Sequence, residues 1–407
     1  MNILLVNKFF WHKGGSETVF FGEKDLLESN GHKVIPFSMH NPQNLPSKYS
    51  EHFVSNIDYD TAGKWDKIKA AGRIVFSVEA RRHMKALLKQ EKIDLAHFHI
   101  FQHQISPSVF GPLREAGIPI ILTLHDLKPI CPNYLMYTQG VTCEKCKGQK
   151  FYHCVVNKCT KNSTSKSFIN MVEMYFHSLM GYYQQVDQFI AVSQFYRHKM
   201  VEFGYPENQL TYIPNFIDTG KFAYTGSDKG YALYFGRLSK EKGIFTLLDA
   251  CSKCQDIPVI IAGTGPQETE LKAKADAIGL QHVDFVGFKS GDALLELLCN
   301  ASFTILPSEW YENCPMSALE SMAVGTPVLG ARIGGIPELV EEGVDGYTFE
   351  SRNSDDLAHN MQRLWTDGAT KRKEMGRKGA EKVAARNSRE THYQTLLKTY
   401  KNVLESR

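Results

Sequence analysis

Short apolar runs at 3–6, 34–37, 93–96, 118–124 and 189–193 alternate with longer stretches of helical periodicity, and the pattern begins afresh with runs at 232–235, 259–262, 283–286, 304–306 and 328–329. Continuous apolar runs of this length predict strands buried on both faces, and helices between them predict parallel sheets. The polar, glycine-bearing stretch 219–230 separates the two series and reads as a linker. The expected fold is α/β, with two Rossmann-like domains facing across a cleft. The first spans 1–215 and carries an insertion at 131–160; the second spans 216–386 with five strands. The closing segment 387–407 repeats apolar positions at Tyr393, Leu396, Leu397, Tyr400 and Leu404, and Asn387 with Glu390 predicts a capping box that opens this last helix.

The densest polar chemistry follows the run 304–306, in Ser308-Glu309-Trp310-Tyr311-Glu312-Asn313-Cys314-Pro315-Met316-Ser317-Ala318-Leu319-Glu320. Proline suits the first helical position because its missing N–H has no intrahelical partner there, so Pro315 predicts the helix start with Cys314 near the cap. The amides of Met316, Ser317 and Ala318, with the positive end of the helix dipole, then form an anion site at the carboxyl end of a strand. Glu312 precedes those amides, and Glu320 lies inside the helix about 8 Å further on. Leu319, Met322 and Ala323 form the buried face, and Gly325 with Pro327 stops the helix. Glu320 is thereby set beside a packed stripe, where an unpaired charge is costly. A ligand with hydroxyls at both ends and phosphates between, such as a sugar nucleotide, would engage all three features.

Other turns at the strand ends carry compatible chemistry. Lys13-Gly14-Gly15 follows the first strand; it lacks the full dinucleotide fingerprint, yet its glycines let backbone approach a ligand at a helix start. His125 follows the run 118–124 and faces the crevice, where a ring nitrogen can hold a sugar hydroxyl. His97 and His99 stand evenly between ligand and core roles. In the second series Gly236, Arg237 and Lys242 occupy the turn after 232–235, where a guanidinium fork and an ammonium neutralise a diphosphate. Gly263-Thr264-Gly265-Pro266 has little bulk and suits close approach by a flat or phosphorylated group.

At 407 residues the chain exceeds what one core usually supports, which agrees with two domains. The net charge of +3 makes no case for nucleic acid. The N-terminus enters a strand directly and no apolar run approaches the roughly 18 residues a membrane span needs, so the expected compartment is the cytoplasm, with the inner face of the membrane as an alternative. The stretch 61–92 predicts one long helix or two, with Trp65, Ile68, Val75, Val78, Met84, Leu87 and Leu88 among many lysines and arginines. It reads as a solvated face, with peripheral contact to anionic lipid as the alternative. The stretch 167–185, with Phe168, Met171, Tyr175, Phe176, Met180 and Tyr183, raises the same question; core packing is expected, with lipid contact as the alternative. Nine cysteines without a secretory signal favour metal ligation or free thiols over disulfides. Cys131, Cys143, Cys146, Cys154 and Cys159 have spacings that resemble a small structural zinc loop. Five exceed four ligands, so any four would serve; a flexible insertion with free thiols is the alternative. Cys251 and Cys254 fall in an apolar helical pattern and read as packing.

With Gly14-Gly15, His125, Arg237, Lys242, 263–266 and the Glu312/Glu320 pair together, the sequence resembles glycosyltransferase family 4, the retaining GT-B transferases, over nearly its whole length. The resemblance implies a nucleotide-diphosphate sugar donor bound by the C-terminal domain and a glycan or lipid-linked glycan acceptor bound by the N-terminal one. It also implies a last helix that crosses back to the first domain. Residue by residue, Arg237 and Lys242 would stabilise the departing diphosphate, Glu320 would hold the ribose and Glu312 the transferred sugar. The backbone of Asn313, Cys314, Pro315 and Met316 would be nearby, His125 would bind a sugar hydroxyl and Gly15 would lie near the phosphate. No catalytic metal and no enzymic nucleophile are implied, and UDP is the expected nucleotide. The insertion resembles one in some bacterial surface-polysaccharide members. Phe216 and Asn313-Cys314 depart from common family residues on the sugar-side wall. Rival readings are a non-catalytic subunit binding glycan or protein, and a sugar-nucleotide epimerase.

Overall fold

The structure, a computed structural model, describes residues 1–56, 71–222 and 226–406. In the first half β1 (Asn2–Val6), β2 (Lys33–Phe37), β3 (Leu95–Phe98) and β4 (Ile120–Leu124) precede a small antiparallel hairpin, β5 (Tyr137–Thr138) and β6 (Val141–Thr142). β7 (Gln188–Ala191) and β8 (Leu210–Tyr212) follow. Apart from the hairpin these form a parallel sheet in the order β2-β1-β3-β4-β7-β8. The second half repeats the plan with β9 (Ala232–Phe235), β10 (Val259–Ala262), β11 (Val283–Gly287), β12 (Phe303–Leu306), β13 (Val328–Ala331) and β14 (Gly346–Phe349), ordered β11-β10-β9-β12-β13-β14. Strand interiors such as Ile3 to Val6 are fully buried because helices cover both faces, the reason they read as unbroken apolar runs.

Several elements refine or depart from the sequence-based expectation. β3 begins two residues late, so His97 sits inside the strand, opposite Leu5 of β1, rather than beyond it. The second sheet has six strands among the described residues, because the short, glycine-led β14 pairs along β13 without an apolar run to announce it. Trp65, Ile68 and their neighbouring lysines lie outside the described residues. Beyond them the helical stretch breaks at Phe76-Ser77, where the Ser77 hydroxyl accepts from the Ala80 amide and caps a separate helix, Val78–Gln90. Arg73 is buried there, donating to Gln104 and Ser55 carbonyls, and is not part of a solvated face.

The helix Thr164–Leu179 is turned inside out relative to its apolar pattern. Phe168, Val172 and Tyr175 are exposed, as is Met180 just past its end, while Ser167, Asn170, Glu173 and His177 are buried. The cause is a buried ion pair: Lys128, from the loop after β4, reaches Glu173 at 2.6 Å, and polar residues face inward to complete it. Tyr183 is buried as expected, so the core-packing expectation fails for Phe168, Tyr175 and Met180. Among the described residues no helix is long and apolar enough to cross a membrane.

The last helix, Arg389–Glu405, is capped by Ser388, which accepts from the Thr391 amide. The expected cap, Asn387, instead donates to the Asn215 carbonyl at 2.7 Å. Tyr393, Leu396, Tyr400 and Val403 of this helix bury into the core of the first half, so the chain does cross back. The Tyr400 hydroxyl meets His97 Nδ1 at 2.7 Å inside that core. A Tyr400→Phe variant should therefore lose about 1 kcal/mol, seen as a fall of about 2–4 °C in melting temperature, with fold and solubility unchanged.

Candidate active site

The loop after β12 builds the site. Glu312 is buried, and its Oε1 accepts from Lys242 Nζ at 2.7 Å and from Ser308 Oγ at 2.7 Å. Burial raises its carboxyl pKa, but the Lys242 charge and these hydrogen bonds outweigh it and hold the group below its ordinary value. Lys242 is thus a pair with Glu312, whereas Arg237 is exposed and has no ion-pair partner among the described residues. Lys13 from the first half lies close enough to Arg237 for its own pKa to be lowered, first by burial and further by that guanidinium despite Glu17. Two cations from opposite halves therefore lie within electrostatic reach of each other.

The helix opens one residue later than Pro315 predicts: Pro315 is the cap and the helix spans Met316–Ala323. The Ala318 amide is taken by the Pro315 carbonyl at 3.1 Å, which leaves Met316 and Ser317 as the first-turn donors. Gly15 stands opposite, where an added Cβ would touch Met316 Cγ at 3.4 Å. Glu320 has no hydrogen-bond or ionic partner among the described residues, and burial raises its carboxyl to about 7. The cost anticipated for an unpaired charge beside the packed face is present.

The neighbouring side chains are spent on joining the halves. Asn313 Nδ2 donates to the Leu124 carbonyl at 2.7 Å and its Oδ1 accepts from Ser193 at 2.8 Å. The buried Cys314 offers its carbonyl to Asn215 Nδ2 at 2.9 Å. The Glu338 carboxylate caps the helix Gln194–Glu202 of the other half through the Gln194 and Phe195 amides. Phe216, expected on the sugar-side wall, is buried against Gly22 and the His392 ring.

Gly236, Gly263 and Gly265 answer a different need from the one anticipated. A Cβ on Gly263 would lie 1.9 Å from the Gly236 carbonyl oxygen, and one on Gly265 would lie 2.2 Å from that of Leu238. These glycines let two loops pack backbone to backbone and so place Arg237, rather than only clearing space for a ligand.

His125 Nε2 meets His99 Nδ1 at 2.9 Å with the rings stacked. His99 Nε2 lies 3.3 Å from Glu23 Oε2, and Glu23 Oε1 meets His392 of the last helix at 3.0 Å. Burial first, then the His99 charge, lowers the His125 pKa to about 3 against the pull of Glu23, so His125 is neutral at ordinary pH. His97 is a core histidine, bonded to Tyr400 and Thr123. In the first half a cavity of about 240 Å³ is lined by Lys8, Lys13, Ser16, His103, Asp126, Lys128 and Tyr134 among others. Sequence reasoning missed Lys13, Ser308 and Glu23; only Lys13, directly before Gly14-Gly15, stood in a legible position.

Two Rossmann-like halves, each built on a parallel sheet, are the GT-B architecture of glycosyltransferases. The sequence profile described as Glycosyltransferase Family 4 matches residues 13–221, and that described as Glycosyl transferases group 1 matches 221–382. An uncharacterized glycosyltransferase of Methanocaldococcus jannaschii is 26% identical over 335 residues, 82% of each chain. An amylovoran biosynthesis glycosyltransferase of Erwinia amylovora is 29% identical over 198 residues, 45% of this chain and 48% of that one. A second M. jannaschii glycosyltransferase, 31% identical, is matched over 51% of its length. Sucrose-phosphate synthase of Thermosynechococcus elongatus aligns over 100% of both chains with a TM-score of 0.73 at 18% identity. HepE of Anabaena, solved with UDP-glucose, aligns over 99% of this chain and 100% of that one with a TM-score of 0.70 at 17% identity. The chain belongs to Glycosyltransferase Family 4, and is a transferase.

The raised Glu320 pKa has a defined sign. A carboxyl held up in the folded state favours folding below its unfolded value and loses that contribution as pH rises through about 7. Glu320→Gln should leave the melting temperature unchanged near pH 5 and raise it at pH 8, by an equivalent of about 1–2 kcal/mol after discounting for partial exposure. Thermal unfolding across that range checks it.

Proposed function

We propose that this chain is a retaining transferase. It would move a hexose or N-acetylhexosamine from a nucleotide-diphosphate sugar, UDP first, to a glycan or lipid-linked glycan acceptor in surface-polysaccharide biosynthesis. The observation that carries this reading is the Glu312/Lys242/Ser308 cluster at the end of β12, placed before a helix start that faces Gly15, with the exposed Arg237 in the turn after β9. In this reading the diphosphate lies between Arg237, Lys13 and the Met316 and Ser317 amides, and Glu320 accepts from the ribose hydroxyls. As the bond from the anomeric carbon to the phosphate oxygen breaks, its electron pair leaves with the diphosphate, whose charge the cations offset. The acceptor oxygen, seated over the cavity by Asp126, bonds to the anomeric carbon from the same face, and its proton passes to the departing phosphate. Neutral His125 orients a sugar hydroxyl and is no base. UDP and UDP-glucose in the HepE structures, and the amylovoran relative, support the donor and pathway class.

The outward face of Thr164–Leu179 suits a membrane that would bring the acceptor: Phe168, Val172, Tyr175 and Leu179 form an exposed apolar stripe. We assign peripheral contact to this face, in the compartment that supplies sugar nucleotides, the cytoplasm.

Melting-temperature shifts with UDP, GDP and ADP should single out one nucleotide. Lys242→Ala and Glu312→Ala should each lower kcat/KM by about 10²–10³, and Lys13→Ala should raise the donor KM about tenfold. Nucleotide affinity should weaken as pH falls below about 7 and Glu320 protonates. Wild-type transfer by the Lys242→Ala and Glu312→Ala proteins would sink the reading.

A further inference from the structure

The cysteines of the insertion come from five separate points on a segment with almost no scaffold of its own. Cys131 ends the turn after β4, Cys143 follows β6, and Cys146 lies in the next turn. Cys154 sits in a four-residue helix and Cys159 in the turn beyond it. All five nevertheless line one small cavity of about 10 Å³, together with Asn133, Met136 and His153. None is in a disulfide.

The backbone around that cavity is held against its own preferences. Of ten non-glycine residues with positive φ among those described, seven lie between Tyr134 and Asn162: Tyr134, Met136, Gln139, Gln149, Lys158, Lys161 and Asn162. Each such conformation costs roughly 1 kcal/mol or more. The regular structure available to offset this is the two-residue pair β5 and β6 and the short helix His153–Val156. A cluster of soft sulfur donors at the centre of a strained loop with little regular structure fits a metal whose binding free energy is itself folding free energy. Lys145, Lys147, Lys150 and Lys158 surround the cysteines in sequence and offset the charge of four thiolates. A formed tetrahedral zinc site brings sulfurs to roughly 3.8 Å of one another. Among the described residues only Glu23, His97 and His99 place three ligand atoms within 4.8 Å, so no three of the cysteine sulfurs lie that close together and a metal would have to draw them in.

The loop also touches the candidate active site. Glu144 lies between Cys143 and Cys146, and accepts from the Tyr311 hydroxyl at 2.7 Å and Lys199 Nζ at 2.7 Å. Tyr311 directly precedes Glu312. We propose that the cysteine-lined cavity is a structural zinc site, with Cys143 and Cys146 supplying one edge of a four-thiolate tetrahedron completed by two of Cys131, Cys154 and Cys159, and that this knuckle anchors Glu144 against Tyr311. The anchoring clause rests on the transferase reading; the metal clause does not.

The test is metal analysis of the full chain purified from zinc-replete cells without chelator. About one zinc per chain is expected, with four more thiols becoming titratable when the metal is stripped. Cys143→Ser and Cys146→Ser should each lose the zinc; if these variants do not fold, the metal content and thiol count of the unaltered protein still decide. Glu144→Gln should keep both zinc and melting temperature while losing roughly tenfold in kcat/KM. Less than about 0.2 zinc per folded, reduced chain with all thiols reactive, or iron with visible absorbance in place of zinc, overturns the site. Full zinc with an unaffected Glu144→Gln overturns the anchoring alone.

Discussion

The loop 308–315 is bonded at once to the half that generates it and to the half it faces. Within its own half, Glu312 is tied to Lys242 and Ser308. Across the cleft, Asn313 reaches Leu124 and Ser193, and Tyr311 reaches Glu144, with its ring packed against Phe195. A buried carboxylate is tolerable only with its cation in place, and breaking such a pair costs on the order of 3–5 kcal/mol. The loop therefore has little freedom, and its rigidity sets the distance between the helix start at Met316 and the Gly14-Gly15 turn opposite.

A second buried carboxylate does related work beneath the other wall. Glu23 stands among His97, His99 and His392, and lies well below its usual pKa because, although burial opposes ionisation, the histidines favour it. Through His99 it fixes the ring of His125, and through His392 it holds the last helix to the first sheet. Helix docking and the orientation of a candidate sugar-binding ring thus share one polar network. The Glu23–His99 approach is an ion-pair contact at 3.3 Å, whereas the Glu23–His392 contact at 3.0 Å is a hydrogen bond.

Glycine serves this architecture less by making room for ligands than by letting loops meet. Gly334 has φ +59°, and a Cβ there would lie 2.2 Å from the Glu312 carbonyl oxygen; Gly335 is as tightly set against that of Asn313. Together with Gly263 and Gly265 these residues allow the strand-end loops to stack as a layer, and the charged side chains project from that layer at fixed spacing.

Much of this was decided locally and could be read from the chain. Apolar runs separated by helical periodicity specified two parallel α/β units, and Pro315, Gly325 and Pro327 bounded the helix that presents Glu320 to within one residue. Strand-end positions also brought Glu312, Lys242, Arg237 and His125 forward as candidates, since a residue just past a parallel strand must face the crevice. What no local pattern holds is which groups meet across long sequence distances. The pairing of Glu312 with Lys242, the approach of Lys13 to Arg237, the Glu23 network and the inverted face of Thr164–Leu179 each depend on partners tens to hundreds of positions away. A helix turns its polar side inward only because a distant lysine is already there, and that is settled by packing, not by periodicity.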